Sequence, residues 1–201
     1  MDNTRFRKLL REKILRYKPD FNLDILEIGL EKFILSEYKS GDYLVKAGHK
    51  CKNLFILENS ITRSYFIGDD GEEKTLWIEP ETSFITDYES FSSDQASLRN
   101  IRLYHDSFVF HISREELVNL YRNHHEWTLL GIIIIEEHFI NLLRLRTTLN
   151  FNDASENYKL VELYYSQYLE VVPLKHLASW LNISPVHLSR IRKENQKRKL
   201  N

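Results

Sequence analysis

The feature that most constrains this chain is a double change in the period of its apolar residues. Residues 5–18 and 23–36 carry hydrophobic side chains three and four apart, the second set being Leu23, Leu26, Leu30, Phe33 and Ile34, and both read as helices. Beyond Ser36 the pattern breaks into short β-rich runs: Tyr43–Lys46, Asn53–Asn59, Ile61–Ile67, Lys74–Ile78, Asn100–Leu103 and Phe108–Ile112. Each is bounded by turn chemistry such as Ser40-Gly41-Asp42, Ala47-Gly48-His49 and Gly68-Asp69-Asp70-Gly71. Short strands at such spacing predict an antiparallel barrel or sandwich, not a parallel sheet. Residues 84–91 read as one helical turn placed between strands.

At Ser113 the helical period returns. Ser113-Arg114-Glu115-Glu116 has the form of a capping box, in which hydroxyl and carboxylate each accept from an amide at the helix start. A helix over 113–123 precedes a longer one over 126–149 that carries Trp127, Leu130, Ile134, Phe139, Leu142 and Leu145. Its run Ile132–Ile135 is apolar on every side, so more than one face must be covered. A second copy of the chain is the expected cover, in preference to the interior of a monomer. Helical patterns then resume over 155–169, 174–181 and 185–198.

The most informative stretch is Val172–Lys193. Pro173 suits a helix's first turn, and Leu174, Leu177 and Leu181 form a stripe with the small Ala178 beside it. Asn182 tolerates the left-handed conformation that stops a helix, Ser184 caps the next one, and Pro185 opens it. Leu188 and Ile191 return that helix onto the first. This is the spacing of a helix-turn-helix whose second helix enters the major groove. An ordinary helical hairpin would share the packing residues, but not a second helix displaying His187, Arg190, Lys193 and Lys197 toward one side.

Charge supports the reading. The net charge of −1 conceals basic ends. Residues 1–18 hold seven Lys/Arg against Asp2 and Glu12, and residues 175–201 hold seven against Glu194 alone, leaving an acidic middle. A basic tail on an acidic body is a signature of nucleic-acid contact. Arg5–Lys18 reads as an amphipathic surface helix more than as a phosphate-contacting arm. No apolar stretch approaches the roughly 20 residues of a membrane span, and the charged start is unlike a secretory leader, so a cytoplasmic location without membrane contact is expected. The single Cys51 excludes an internal disulfide.

At this point the sequence resembles the bacterial cyclic-AMP receptor and fumarate–nitrate regulator (Crp/Fnr) superfamily. Gly41, Leu44, Gly48, Leu54, Phe55, Ile56, Leu57 and Gly71 fall where that family's sensor barrel has matching residues, and Ala178–Lys193 is similar to its helix-turn-helix. The likeness spans roughly residues 20–198. It implies an α+β chain with a cyclic-nucleotide-binding-like antiparallel jelly-roll barrel, a long dimerisation helix and a C-terminal DNA-binding domain. The corresponding boundaries are 1–112, 113–150 and 151–201. It also implies a homodimer joined along 126–149, double-stranded DNA as partner with half-sites about 34–36 Å apart, RNA polymerase as a candidate further partner, and a small-molecule effector.

Where the family's nucleotide-binding members have a Phe-Gly-Glu turn and a later Arg, this chain has Phe84-Ile85-Thr86-Asp87 and Leu98-Arg99-Asn100-Ile101. The effector pocket expected at Thr86, Asp87, Arg99 and Asn100 is therefore degenerate, and a ligand other than a cyclic nucleotide, or none, is expected. Cys51 alone contradicts the cluster-binding branch. In the second helix, Pro185 and Val186 replace the family's Arg and Glu, while Arg190 keeps the downstream Arg. Arg190 is expected to grip guanine, Val186 a thymine methyl, and His187 a base edge or phosphate. Ser184, Ser189, Lys175, Arg192 and Lys193 are expected on the phosphate backbone, with Lys197, Arg198 and Lys199 standing in for a β-wing that the chain is not expected to have.

His49 with Cys51, and Glu136-Glu137-His138, lack the partner cluster that a metal needs, and residues 53–78 contain no His for a cupin-type site. No cofactor, metal or catalytic residue is expected, and the chain is read as a regulator, not an enzyme. The competing reading is a ligand-binding sensor that acts through a protein partner without specific DNA binding.

Overall fold

The computed structural model describes residues 3–57, 60–79 and 83–200. Two helices open the chain, α1 (Asn3–Tyr17) and α2 (Leu23–Leu30). The Asn22 side chain caps α2, accepting from the amides of Asp24 at 3.0 Å and Ile25 at 3.2 Å, and Leu26 and Leu30 are buried beneath it. The expected extension of this helix to residue 36 does not form. The chain turns at Glu31 and enters β1 (Ile34–Tyr38), whose backbone pairs with a strand more than seventy residues later. Phe33 and Ile34 fit a helical stripe, but sheet pairing decides their conformation.

Seven further strands follow: β2 (Tyr43–Val45), β3 (Asn53–Leu57), β4 (Thr62–Ile67), β5 (Glu73–Glu79), β6 (Phe84–Ile85), β7 (Asn100–Leu103) and β8 (Ser107–Ser113). A short α3 (Tyr88–Ser93) lies between β6 and β7. The last two residues of the expected Asn53–Asn59 run lie outside the described residues. The strands form two four-stranded antiparallel sheets, in the orders β1-β8-β3-β6 and β2-β7-β4-β5. They do not close into a barrel, which corrects the expected closed form; the arrangement is a jelly roll. β3 lies between β8 and β6 and is buried from Leu54 to Leu57, which explains why its sequence runs apolar without alternation. The β4–β5 turn needs the positive φ of Gly71, at +77°.

The chain then returns to helix: α4 (Arg114–Asn123), α5 (His125–Phe151), α6 (Ala154–Tyr164), α7 (Ser166–Val171), α8 (Leu174–Trp180) and α9 (Pro185–Leu200). Only half of the expected capping box at Ser113 forms. The hydroxyl accepts from the Glu116 amide at 3.2 Å, while the Glu116 carboxylate reaches Lys32 at 3.5 Å instead. A complete box stands at Asp153–Glu156.

The first turns of α5 enter the sensor core through Trp127 and Leu130. Farther along, Ile132, Ile135, Phe139, Leu142 and Leu143 are exposed, Phe139 at 57%. At about 100° per residue these five fall within an arc of about 100°. A second core joins Ile61 and Ile78 of the β-sheet domain to Tyr158, Val161, Tyr168, Leu177, Trp180, Leu188 and Ile191 of the C-terminal helices. Among the described residues no helix is long and apolar enough to cross a membrane.

The basic first helix is less superficial than its charge suggests. Leu10 and Ile14 are buried, and so are Lys13 and Lys18. Lys18 pairs with Asp20 at 2.8 Å, whereas the Lys13 ammonium sits 5.0 Å from the Phe84 ring centre with no hydrogen-bond partner.

Candidate nucleic-acid interface and sensor cavity

Local chemistry builds the α8–α9 corner. Pro173 takes the position before α8 (φ −54°, ψ 140°), one residue earlier than the helical site expected for it. After Trp180 the chain reverses at Asn182, whose φ of +55° is left-handed. The Ile183 amide reaches back to the Ala178 carbonyl at 3.0 Å, which closes the end of α8. Ser184 Oγ then accepts from the His187 amide at 3.1 Å, and Pro185 begins α9. Leu188 and Ile191 are buried against Leu177, Ala178 and Trp180, which fixes the angle between the helices.

That packing leaves one side of α9 bare. Val186 is 81% exposed, and Arg190, Lys193 and Lys197 are exposed with it. On a helix these four fall within about 60° of each other. Ser184 and Lys175 are exposed, while His187 and Ser189 flank the stripe half-buried. Arg192, also expected on the phosphate backbone, is half-buried. The side chains of Arg198 and Lys199 lie outside the described residues.

α8, not α9, holds this unit to the β-sheet domain. Ser179 Oγ accepts from the Thr75 amide of β5 at 2.9 Å and donates to the Glu73 carbonyl at 3.4 Å. His176 Nδ1 bonds the Tyr104 hydroxyl at 2.9 Å, and its Nε2 lies 3.6 Å from Glu73. Burial, assisted by the Arg63 guanidinium, pushes His176 down to about 4, so this contact is made by a neutral ring near pH 7. Tyr168 adds a buried hydroxyl bond to the Ile78 carbonyl at 2.9 Å. None of these contacts was legible in the sequence, where Tyr104, His176 and Ser179 form no pattern.

In the β-sheet domain, a cavity of about 430 Å³ lies between β4, β5 and β7 on one side and α5 on the other. Of the four expected pocket residues, Thr86 and Arg99 line it. Asp87 and Asn100 are instead turned into the scaffold. Asn100 Oδ1 accepts from the Ala47 amide at 3.0 Å, and Asp87 is buried, its Oδ2 accepting from Ser97 Oγ at 2.6 Å. Arg99 Nε lies 3.2 Å from Asp87 Oδ1, close enough for an ion pair though not aligned as a hydrogen bond, and its other arm lies 3.3 Å from Glu89. Thr86 Oγ1 donates to the Asn53 carbonyl at 2.9 Å. Of the two arginines that line the cavity, Arg99 and Arg146, Arg99 is thus flanked by two carboxylates, and a phosphate approaching it would have to displace them. Tyr88, which the sequence did not single out, and His138, weighed there only as a metal ligand, also line the cavity. Burial raises the Tyr88 hydroxyl and lowers the His138 imidazole, so both favour their neutral forms.

The sequence model of the cyclic nucleotide-binding domain family matches residues 35–124, from the second residue of β1 to the turn before α5. No curated protein sequence matches the chain. Among solved structures, the c-di-GMP-responsive global regulator CLP of Xanthomonas campestris superposes with a TM-score of 0.70 at 16% identity, covering 89% of this chain and 94% of its own. A transcriptional regulator of the Crp/Fnr family from Eubacterium rectale gives 0.69 at 16% identity over 91% and 88%. The catabolite activator protein of Thermus thermophilus gives 0.53 at 14% over 93% and 88%. At these identities the likeness is one of fold, and it runs nearly the full length of both chains in each case. Residues 35–124 are therefore similar to the cyclic nucleotide-binding domain family, in a chain whose fold is that of the Crp/Fnr transcription regulators.

Proposed function

We propose that the chain is a DNA-binding transcription regulator. In this reading residues 1–112 form a sensor, 113–150 the helices that join two copies, and 151–201 a helix-turn-helix unit that reads duplex DNA. The observation that carries it is the bare stripe of Val186, Arg190, Lys193 and Lys197, left free because α8 makes the contacts to the sensor. Arg190 is the residue placed to discriminate a base, and Lys193, Lys197, Lys175, Ser184 and Ser189 are placed to hold phosphates. The exposed apolar arc of α5 supports a homodimer, which would present the two stripes to successive turns of the major groove. RNA polymerase is the further partner such a role implies. The engaged state of Arg99 favours an effector that is not a cyclic nucleotide.

The test is a gel-shift with genomic fragments across a salt series, followed by the same assay on Arg190→Ala. Wild-type protein should retard a subset of fragments, with affinity falling steeply as salt rises. Arg190→Ala should lose about tenfold or more in site preference, as expected for one lost bidentate base contact, and should sediment as the wild type does. If no fragment is retarded even at low salt, the DNA reading fails and a sensor acting through a protein partner takes its place.

A further inference from the structure

Beside α8, the outward face of the sheet β2-β7-β4-β5 carries cations that no carboxylate neutralises. Tyr43 of β2 and Arg102 of β7 are cross-strand partners, and both are exposed. The Arg102 guanidinium lies 5.3 Å from the centre of the Tyr43 ring and is oriented by Nε, which donates to the Gly41 carbonyl at 2.6 Å. The exposed Lys46 places its ammonium 5.9 Å from the same ring. Leu103 is buried in the core, so its neighbours Arg102 and Tyr104 share the outward face, about 7 Å apart. Tyr104 is the residue on which His176 of α8 rests.

The acidic groups of this region are already engaged. Asp42 Oδ2 accepts from the Lys39 amide at 2.8 Å. Asp106 accepts from the Ser40 amide at 2.8 Å and pairs with Lys39, as Glu37 does, while Glu73 pairs with the buried Arg63. Arg102, Lys46 and Lys175, by contrast, stand in no ion pair among the described residues. Burial and then the Arg63 guanidinium keep His176 neutral, with smaller contributions from Lys175 and Arg102, so both unpaired cations lie within electrostatic reach of one ring.

We propose that Lys46, Tyr43 and Arg102, continued by Lys175, form a second contact surface for duplex DNA, taken by phosphates that flank the site read by α9. The inference rests on the DNA reading above and adds the β-sheet domain to its footprint. Lys175 joins the two surfaces. It is exposed on the residue before His176, which is seated on the sheet, and the α8–α9 corner at Asn182 lies about 10 Å farther along α8. A cation held over an aromatic ring keeps its N–H donors for phosphate oxygens, whereas a carboxylate partner would occupy them. Phosphate contacts carry no base information, so this face should add affinity and leave sequence preference as α9 sets it.

The test compares two duplexes in a salt series with the full chain: a retarded fragment trimmed to its shortest Arg190-dependent length, and the same site extended by about one helical turn, 10 base pairs, on each side. The extended duplex should bind more tightly, and its advantage should fall about tenfold between about 50 mM and about 200 mM salt, as two added phosphate contacts require. The double variant Arg102→Gln, Lys46→Gln should abolish that advantage and bind the short duplex as the wild type does. Arg102→Lys should retain it. Lys46→Gln alone, which disturbs no hydrogen bond, should remove about half of the added salt slope. Equal affinity and salt dependence of the wild type on both duplexes overturns the proposal, as does a double variant that keeps the full difference. If no duplex of either length is retarded, the DNA reading itself fails and this surface falls with it; a loss confined to the extended duplex's advantage strikes the second surface alone.

Discussion

Gly29→Ala is the most economical probe of how the sensor core is assembled. Gly29 is buried on α2, and a Cβ built there would lie 2.0 Å, 2.2 Å and 2.6 Å from Cζ2, Cε2 and Nε1 of Trp127. Helix propensity alone favours alanine by up to about 1 kcal/mol. Against that, the indole cannot slide away. It is 2% exposed, meets Phe21 edge-on at 5.3 Å and Phe33 at 6.3 Å, and donates from Nε1 to the Ile25 carbonyl at 3.0 Å. Overpacking of this kind costs about 1–3 kcal/mol, and loss of the indole hydrogen bond adds about 1 kcal/mol. The net is a destabilisation of about 1–3 kcal/mol, or about 3–10 °C in the first thermal transition for a chain of this size. Thermal and urea melts measure it. Pairing the change with Trp127→Leu should recover much of the loss, because the two side chains compete for one space. A single variant as stable as the wild type, or two additive losses, would show that α2 and α5 are not held as described.

Two further outcomes follow from buried charge and from backbone. Burial raises the Glu79 carboxyl from 4.5 to about 7, so the folded chain keeps that proton longer and stability should fall as pH climbs through this window. Lys13 is lowered from 10.5 to about 7 by burial, with Arg16 adding to the effect, so stability should rise again as pH increases from about 7. His176, lowered to about 4, adds stability as pH rises and so opposes the Glu79 fall below neutrality; urea titrations between about pH 7 and about pH 9 should therefore show rising stability that Lys13→Met erases, and an unchanged profile would refute the burial of that amine. At the corner before α9, Asn182→Gly should be nearly neutral, whereas Asn182→Val should cost about 1–2 kcal/mol, because its φ of +55° crowds a branched side chain. Equal melting temperatures for the two variants would count against that turn.

How much was legible depended on whether the deciding chemistry was local. Asn182, Ser184 and Pro185 act on backbone within a few residues of themselves, and the turn they specify is the one observed. Most of the strands were placed from the β-rich runs and their turn residues for the same reason. Where long-range pairing decides, sequence pattern misleads. Phe33 and Ile34 fit the stripe of α2, yet their segment is captured by β8, and closure of the two sheets depends on partners that no local period reveals. The sensor cavity shows the same division. Thr86 and Arg99 line the cavity, but nothing along the chain announced that Asp87 would turn inward to Ser97 and Arg99. The buried Lys13 of α1 likewise owes its state to the wall opposite it, which a count of charges does not contain.

The hydroxyl of Ser179 has a consequence for the solubility of the sensor on its own. β5 is an outermost strand of its sheet, and the Thr75 amide and Glu73 carbonyl on its open side are satisfied by that single serine in place of a neighbouring strand. α8 thus serves as a stopper on a border that would otherwise recruit strands from other molecules. Any event that lifts the C-terminal helices away uncovers this ready template, so self-association is a built-in hazard of their release.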